Sequence, residues 1–258
     1  MGVIIAVTNQ KGGVGKTTTS INLAYCLNKL GKRVLLVDFD PQGNATSGLG
    51  FDKNALETTI LNVIQQEVEA PQAVLNTHYK DFDLIPSTPQ LANAEVELAK
   101  AERRFVRLKL ALEHLDSYDY IIVDSPPSLS LLTVNALIAS RFVLLPVQAE
   151  FYAMEGLGQL LETMKLIRKG LNPTLDLIGV LVTMMDTRTT LSKQVYEEVK
   201  KHFPDKVFDT VIPRNVRIAE APSHGVPVGD YDGWSKGARA YKSLAKEVVK
   251  RIDESGVS

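Results

Sequence analysis

Continuous apolar runs alternate along the chain with longer stretches whose apolar residues recur at helical spacing. The apolar runs are rich in β-branched residues, which is typical of strands covered on both faces of a sheet. Six strands are predicted on this basis, at residues 3–8, 33–38, 82–86, 120–124, 142–147 and 175–183. Seven helices are predicted from the 3.6-residue period, at residues 17–30, 56–67, 104–115, 129–140, 153–169, 191–202 and 238–254.

This alternation predicts an α/β fold: a doubly wound, mostly parallel sheet with helices on both faces. Ligands of such sheets bind beyond the carboxyl ends of the strands. The 258 residues contain no linker, internal repeat or low-complexity tract, so a single domain spanning 1–258 is expected. Apolar residues make up 45% of the chain, which is enough for a sizeable core, and no apolar run approaches the membrane-spanning length of about 18 residues.

Cysteine usage and charge narrow the class of protein. Cys26 is the only cysteine, which excludes an internal disulfide and favours a cytoplasmic setting. The formal net charge is −1, but residues 165–217 hold ten Lys or Arg and six Asp or Glu, for a local charge of +4. A solvated helix face is the ordinary explanation for such a run.

The segment TNQKGGVGKTTT, residues 8–19, lies between the first predicted strand and the first predicted helix. It nearly matches the phosphate-binding pattern G-x-x-x-x-G-K-[ST], but Gln10 replaces the first glycine and a second lysine, Lys11, follows it. Glycines let the backbone approach phosphate closely, and the helix N-terminus adds a positive dipole end. Lys16 is expected to reach the β- and γ-phosphates and Thr17 to bind Mg²⁺. The predicted nucleotide contacts in this loop are Gly12, Gly13, Val14, Gly15, Lys16, Thr17 and Thr18.

Acidic residues end two other predicted strands. VLLVDFDP carries Asp38 and Asp40, and YIIVDSPPS carries Asp124. A single strand-end aspartate is often a helix N-cap, but three at one sheet edge beside a phosphate loop favour a nucleotide–magnesium site. Asp38 and Asp124 are the predicted carboxylates of the Mg²⁺ shell, together with Thr17.

Three segments carry a resemblance to a known family: KGGVGKTTT, VDFDPQGNATSGLG and IIVDSPPS. Their order and spacing resemble those of the deviant Walker A ATPases, a group of P-loop NTPases, and specifically the ParA/Soj branch that partitions chromosomes and plasmids. The resemblance covers essentially the whole chain. One departure is Ser125, where many relatives carry cysteine, and it is not expected to affect the chemistry.

The resemblance implies an ATP hydrolase that uses ATP and Mg²⁺ and closes as a two-fold dimer. Lys11 would cross to the nucleotide of the second subunit, where it offsets repulsion between two triphosphates and stabilises charge during phosphoryl transfer. Asp40 resembles the residue that orients the attacking water, so Lys11, Lys16 and Asp40 are the candidate catalytic residues. Hydrolysis is expected to be slow and stimulated by a ParB-type centromere-binding protein.

Two further sites are implied by the resemblance. In TVIPRNVR, residues 210–217, the backbone near Pro213 and the Asn215 side chain would contact adenine, although a turn without a ligand remains an alternative. Arg188 and Arg217 resemble the arginines with which the ATP-bound dimer contacts double-stranded DNA without sequence preference, which implies association with the nucleoid. The residues expected to extend this patch are Lys193, Lys200, Lys201, Lys206 and Arg214.

Three other classes share the loop. A MinD-like membrane ATPase needs a C-terminal amphipathic helix, and Tyr241, Leu244, Val248 and Ile252 follow helical spacing, but the tail ends in acidic and small residues. An iron–sulfur reductase like the nitrogenase iron protein needs two cysteines per subunit, which Cys26 alone does not supply. A small-molecule kinase or ligase would need a substrate motif that the sequence does not show.

Trp234 is expected to anchor the last helix.

Overall fold

The computed structural model describes residues 2–150 and 156–256. Within them, seven strands form one sheet: β1 (Val3–Val7), β2 (Val34–Asp38), β3 (Leu75–Asn76), β4 (Phe82–Ile85), β5 (Tyr120–Asp124), β6 (Phe142–Gln148) and β7 (Asp176–Thr183). The strand order is β3-β4-β2-β5-β1-β6-β7. β3 runs antiparallel to β4, and every other neighbouring pair is parallel. The predicted mostly parallel, doubly wound sheet is therefore confirmed.

Helices connect the strands and cover both faces of the sheet. They are α1 (Lys16–Lys29), α2 (Asn44–Gly48), α3 (Ile60–Gln65), α4 (Leu91–Leu98), α5 (Arg107–Leu112), α6 (Leu131–Ala139), α7 (Leu157–Gly170), α8 (Thr190–His202), α9 (Val216–Glu220), α10 (Val228–Tyr231) and α11 (Lys236–Glu254). Short 3₁₀ turns occupy Lys53–Ala55, Ala70–Ala73 and Ala221–His224. No helix among these described segments combines the length and the hydropathy that crossing a membrane requires.

The strands are buried because helices pack on each side of them. All five residues of β2 and all five of β5 are buried. α1 and α11 lie together over one face, where Leu23, Leu36 and Leu244 belong to the same core. On the other face the strands pack against α3, α5 and α6, through residues such as Leu112 and Leu132. This double cover explains why the strand sequences are continuously apolar.

Several predicted elements have different bounds. The helix predicted at 56–67 is wrong in its first turn, because Thr59 caps the real helix: its hydroxyl accepts from the Leu61 N–H, and the Asn62 side chain accepts from the Thr59 N–H. The helix predicted at 104–115 is shorter, Arg107–Leu112. The helix predicted at 153–169 is observed from Leu157, and its first residues, 153–155, lie outside the described residues.

Trp234 does not anchor the last helix. Its side chain is 89% exposed, and the helix is anchored instead by Tyr241 and by the residues that follow it on the same face. Ser235 caps α11 by accepting from the Ala238 N–H. The prediction was wrong because the buried stripe of α11, which is mostly aliphatic, packs the helix onto the core without the indole.

The parallel register brings the acidic strand ends together. Asp124 is the pairing partner of Val7 at the end of β1 and of Asp38 at the end of β2. The loop that follows Val7 leads into α1, so the loop and the acids share one edge of the sheet.

Candidate functional site

The loop between β1 and α1 is shaped to receive an anion. Gly13 and Gly15 have φ values of 75° and 85°, a left-handed conformation that glycine adopts without strain. Gly15 is the N-cap residue of α1, where no side chain caps the free backbone N–H groups and the first turn holds no acidic residue. The start of this helix therefore presents unpaired donors and a positive dipole end.

Neighbouring strands fix the position of this loop. The Asn9 amide donates to the Pro146 carbonyl at 2.7 Å, and its oxygen accepts from the Lys11 N–H at 3.0 Å. The Thr183 hydroxyl donates to the Val14 carbonyl at 2.8 Å. These bonds join the loop to β6 and β7, so its backbone is held before any ligand binds.

The side chain of Lys16, the first residue of α1, turns back towards the loop. It is buried, and Nζ donates to the Lys11 carbonyl oxygen at 3.0 Å. Burial lowers the pKa of the Lys16 ammonium, and the charges of Asp124 and Asp40 oppose that shift. A buried cation is stabilised by a nearby anion, which a phosphate group would supply. Lys11 is half-buried, and because both of its backbone polar groups are bonded, only its side chain is left to reach outward.

Asp38 and Asp124 are fully buried beside each other. The Asp38 Oδ2 accepts from the Thr46 N–H at 2.8 Å and from the Thr46 hydroxyl at 2.7 Å. The Asp124 Oδ1 accepts from the Ser20 hydroxyl at 2.8 Å. The other oxygen of Asp124, Oδ2, is buried and makes no hydrogen bond with the described residues.

This pair of carboxylates fits a divalent cation. Burial, and then the charge of Asp38, raises the pKa of Asp124, and burial is also the main cause that raises the pKa of Asp38. Mg²⁺ prefers oxygen ligands and would relieve both the burial cost and the repulsion. The unpaired Oδ2 of Asp124 is an acceptor suited to such an ion or to its bound water. Thr17 lies on the first turn of α1, beside Lys16, where the sequence predicted a ligand.

Asp40 follows β2 in the turn before α2. Its side chain is buried, and Oδ1 accepts from the Gln42 N–H at 2.9 Å. Its own carbonyl accepts from the Gly43 N–H, which closes the turn. The carboxylate is near enough to Lys16 to raise the pKa of that ammonium. The structure thus places all three predicted aspartates at the loop.

A cavity of about 340 Å³ continues from the loop. Gly15 and Thr18 from the loop region line it, together with Pro213, Asn215 and Tyr241. The Asn215 Oδ1 accepts from the Arg217 N–H at 3.0 Å and caps α9, which leaves the amide NH₂ to donate to a ligand. The apolar walls are the kind of surface that a purine ring would cover.

A second cavity, of about 810 Å³, adjoins the first and shares Pro213, Arg214 and Asn215 with it. Arg188, Arg214 and Arg217 all line this second cavity, which we call the basic groove. Lys236 lines it too, and sequence reasoning missed this residue. The available signal was its place at the first position of the last helix, which packs by α9.

Other predicted basic residues lie outside the groove. Lys193 is exposed near the start of α8, whereas Lys200 is in its last turn, about 10 Å further along at 1.5 Å per residue. Lys206 pairs with Asp176 at 3.1 Å, at the amino end of β7 and therefore at the opposite sheet edge. The three arginines come together, but Lys200, Lys201 and Lys206 do not join them.

Each groove arginine has an acidic neighbour. Arg188 contacts Asp186 at 2.8 Å, and Arg214 contacts Glu150 at 3.5 Å. Arg217 contacts Glu220 at 2.9 Å and Asp232 at 3.4 Å. Such exposed pairs are weak and exchange readily for other anions.

Comparison with known proteins assigns the family. A model described as an AAA domain matches residues 2–177. The sporulation initiation inhibitor protein Soj of Bacillus subtilis is 59% identical over 250 residues, which cover 96% of this chain and 99% of that protein. The chain belongs to the ParA/Soj family of chromosome-partitioning ATPases. The ParA/Soj match extends to the chromosome partitioning protein ParA of Caulobacter vibrioides, which is 48% identical over 96% of this chain and 94% of its own length.

A solved structure agrees with the ParA/Soj fold. Cobyrinic acid a,c-diamide synthase from Mycobacterium smegmatis is 38% identical, with a TM-score of 0.87 over 99% of this chain and 97% of that one. It has been solved with ADP and magnesium and with an ATP analogue and magnesium. The resemblance inferred from the three sequence segments is thereby confirmed.

Proposed function

We propose that this chain is a partition ATPase that binds ATP and Mg²⁺, pairs with a second copy, and holds duplex DNA until ATP is hydrolysed. One observation supports the proposal above all others. A loop with two lysines, three buried aspartates and a groove with three arginines all converge on one edge of the sheet. Residues 1–258 would act as one such ATPase domain.

The nucleotide would occupy the loop and the 340 Å³ cavity together. The backbone from Gly12 to Thr18 would surround the phosphates, and Lys16 would exchange the Lys11 carbonyl for phosphate oxygen. Pro213 and the Asn215 amide would contact adenine. Thr17, Asp38 and Asp124 would hold Mg²⁺, which neutralises charge on the phosphate oxygens when it is bound.

Asp40 would orient the water that attacks the γ-phosphate. Because an aspartate is a weak base near neutral pH, positioning is its expected contribution. Lys16 from the same chain and the partner subunit's Lys11 would stabilise the charge that develops on the phosphoryl oxygens. Two reciprocal lysines also make the interface isologous, so each active site needs both chains. Hydrolysis by the chain alone would be slow, and a ParB-type protein would accelerate it.

DNA would bind along the basic groove. Its contacts would go to phosphates, which carry no sequence information, so binding would be nonspecific and would weaken steeply with salt. The wall formed by Pro213, Arg214 and Asn215 belongs to both cavities, and this shared wall supports a link between nucleotide state and DNA affinity. Pairing of two copies would double the number of phosphate contacts.

The membrane alternative has less support. The apolar stripe of α11, which a MinD-like protein would need to insert, is buried against the core at Tyr241, Leu244, Val248 and Ile252. Without that stripe, the exposed side of α11 is dominated by polar residues. The helix therefore serves the fold, and its exposed side offers no large apolar stripe to insert into lipid.

DNA retention in different nucleotide states tests the proposal. Wild type should retain duplex DNA with ATP and Mg²⁺ and release it with ADP or without nucleotide. Arg188→Glu combined with Arg217→Glu should abolish retention. A matched control reverses two lysines outside the groove, Lys165→Glu and Lys250→Glu, which are 66% and 73% exposed. Equal retention in all nucleotide states, or full retention by the arginine double variant, would contradict the proposal.

A further inference from the structure

Trp234 is the only tryptophan of the chain, and its side chain is 89% exposed. Large aromatic side chains usually bury most of their surface, so an indole this exposed is a candidate contact residue. Val216 is also exposed, at 70%, and it lines the basic groove next to Arg217. Two exposed apolar residues thus lie on segments that meet at one groove arginine, because Asp232, two residues before Trp234, contacts Arg217.

Hydrogen bonds hold the turn that carries Trp234. The Trp234 N–H donates to the Asp232 Oδ1 at 3.2 Å, and the Ser235 N–H donates to the Asp232 carbonyl at 3.1 Å. The second carboxylate oxygen of Asp232 contacts Arg217 Nε at 3.4 Å. One side chain therefore joins the backbone of Trp234 to the guanidinium of Arg217. The turn that carries the indole is therefore tied through Asp232 to one groove arginine, and it leads two residues later into Lys236, which lines the groove.

The groove presents cations to an approaching molecule. Arg188 is 86% exposed while its partner Asp186 is 22% exposed. Arg217 is 52% exposed, against 39% for Glu220 and 33% for Asp232. In each pair the cation extends further into solvent than the carboxylate, so a polyanion meets the arginines first.

We infer that Trp234 belongs to the DNA-contacting surface and packs its ring against the deoxyribose of duplex DNA, with its N–H donating to a phosphate oxygen. The inference rests on the proposed function and adds an apolar contact to it. An indole offers an apolar face and one donor, which suits a sugar–phosphate strand. A second copy fits less well, because two-fold symmetry would bring identical arginine clusters face to face.

The sole tryptophan makes the contact directly observable. Wild type with a non-hydrolysable ATP analogue and Mg²⁺ would be titrated with a dye-labelled duplex, with dye anisotropy and indole emission recorded together. Duplex binding should shift the emission to shorter wavelength and protect the indole from acrylamide. The analogue without DNA should change neither the indole emission nor its quenching by acrylamide. Anionic vesicles without DNA should also leave both unchanged.

Variants separate the apolar contact from the ionic ones. Trp234→Ala should weaken duplex binding by about tenfold at fixed salt and leave the salt dependence unaltered, because no cation is lost. Trp234→Phe keeps a ring but loses the N–H, so its affinity for the duplex should lie between those of wild type and Trp234→Ala. Val96→Ala removes apolar surface from a side chain that is also exposed but sits on α4, and should bind as wild type does. ATP hydrolysis without DNA should be the same in all of them.

The outcomes distinguish this inference from the proposed function. If anisotropy reports tight duplex binding while the indole emission stays constant, the inference is overturned and the function stands. An emission change caused by the analogue alone would assign the indole to a second copy, and one caused by vesicles would assign it to lipid; either overturns the inference. If the duplex does not bind wild type in any nucleotide state, the proposed function fails and the inference with it.

Discussion

Asp38 and Asp124 are neighbours on adjacent strands, and neither carboxylate reaches solvent. Thr46 and Ser20 satisfy part of their hydrogen-bonding capacity, but the Asp124 Oδ2 is left without a partner among the described residues. Such an arrangement is costly in a protein that has no cation to place there. Its cost is therefore expected to appear in the stability of the protein when Mg²⁺ is absent.

This cost predicts a specific pH dependence. Burial raises the pKa of Asp38 and of Asp124 in the folded protein, so it binds protons more tightly than the unfolded chain. The free energy of unfolding should therefore fall as pH rises above about 4, the usual pKa of a free aspartate. Asp124→Asn cannot ionise and should show a flatter profile and higher stability at the alkaline end. Urea unfolding across this range without Mg²⁺ measures it, and an equally steep profile for the variant would contradict the assignment.

Asp40 predicts a separation of binding from hydrolysis. Asp40→Ala should bind ATP with near-normal affinity and lose at least about 10²-fold in hydrolysis, because the attacking water is no longer positioned. Phosphate release and nucleotide titration measure the two quantities. Asp205→Ala, at the opposite edge of the sheet, is the matched control and should hydrolyse normally. Normal turnover by Asp40→Ala would transfer the role to another residue.

The residues that were correctly predicted to lie together are those whose position depends on local order in the sequence. The phosphate loop and the acids sit within short segments that end predicted strands, so their meeting follows from a parallel sheet. Lys236 and Trp234 could not be placed in the same way. Their position depends on how the start of α11 packs, where Gly237 lies so close to Ile218 that an added Cβ would be 2.5 Å from it. The hydrophobic periodicity of the sequence gives no information about that contact.

At the scale of elements, strands were predicted within one or two residues because their apolar runs are continuous. Helix ends were less predictable, as the Thr59 cap of α3 shows, because caps act through single hydrogen bonds. The helices α2, α4, α9 and α10 and the edge strand β3 were missed. α2, α9 and α10 have four or five residues and β3 has two, which is too short to show a period, and α4 has only eight residues.

The last helix yields a prediction at this scale. Leu244 is fully buried between α11 and the sheet, so Leu244→Ala should lower the free energy of unfolding by about 2–5 kcal/mol. Lys246→Ala, on the exposed side of the same helix, should change it by less than about 0.5 kcal/mol. Denaturant unfolding measures both. If Leu244→Ala were as stable as wild type, the stripe would be free for another surface and the membrane alternative would regain support.

In the whole molecule, the topology brings the two proposed binding sites to one edge of the sheet. β1 lies between β5 and β6. β2 to β5 lie on one side of β1 in the strand order and β6 and β7 on the other, so the phosphate loop sits where the strand order changes direction. The basic groove adjoins the nucleotide cavity through the wall at Pro213, Arg214 and Asn215. A change in that wall when nucleotide binds would therefore alter the groove without any distant relay.

The central claim is that Lys11 joins two copies through their nucleotides. Molecular mass in solution, measured by light scattering with saturating ATP and Mg²⁺, tests it most directly. Asp40→Ala, which should keep its ATP, is expected at twice the monomer mass, and Lys11→Ala combined with Asp40→Ala at the monomer mass. Lys80→Ala in the same background, an exposed lysine beside the amino end of β4, should still pair. A monomer for Asp40→Ala, or a dimer without Lys11, would contradict the account.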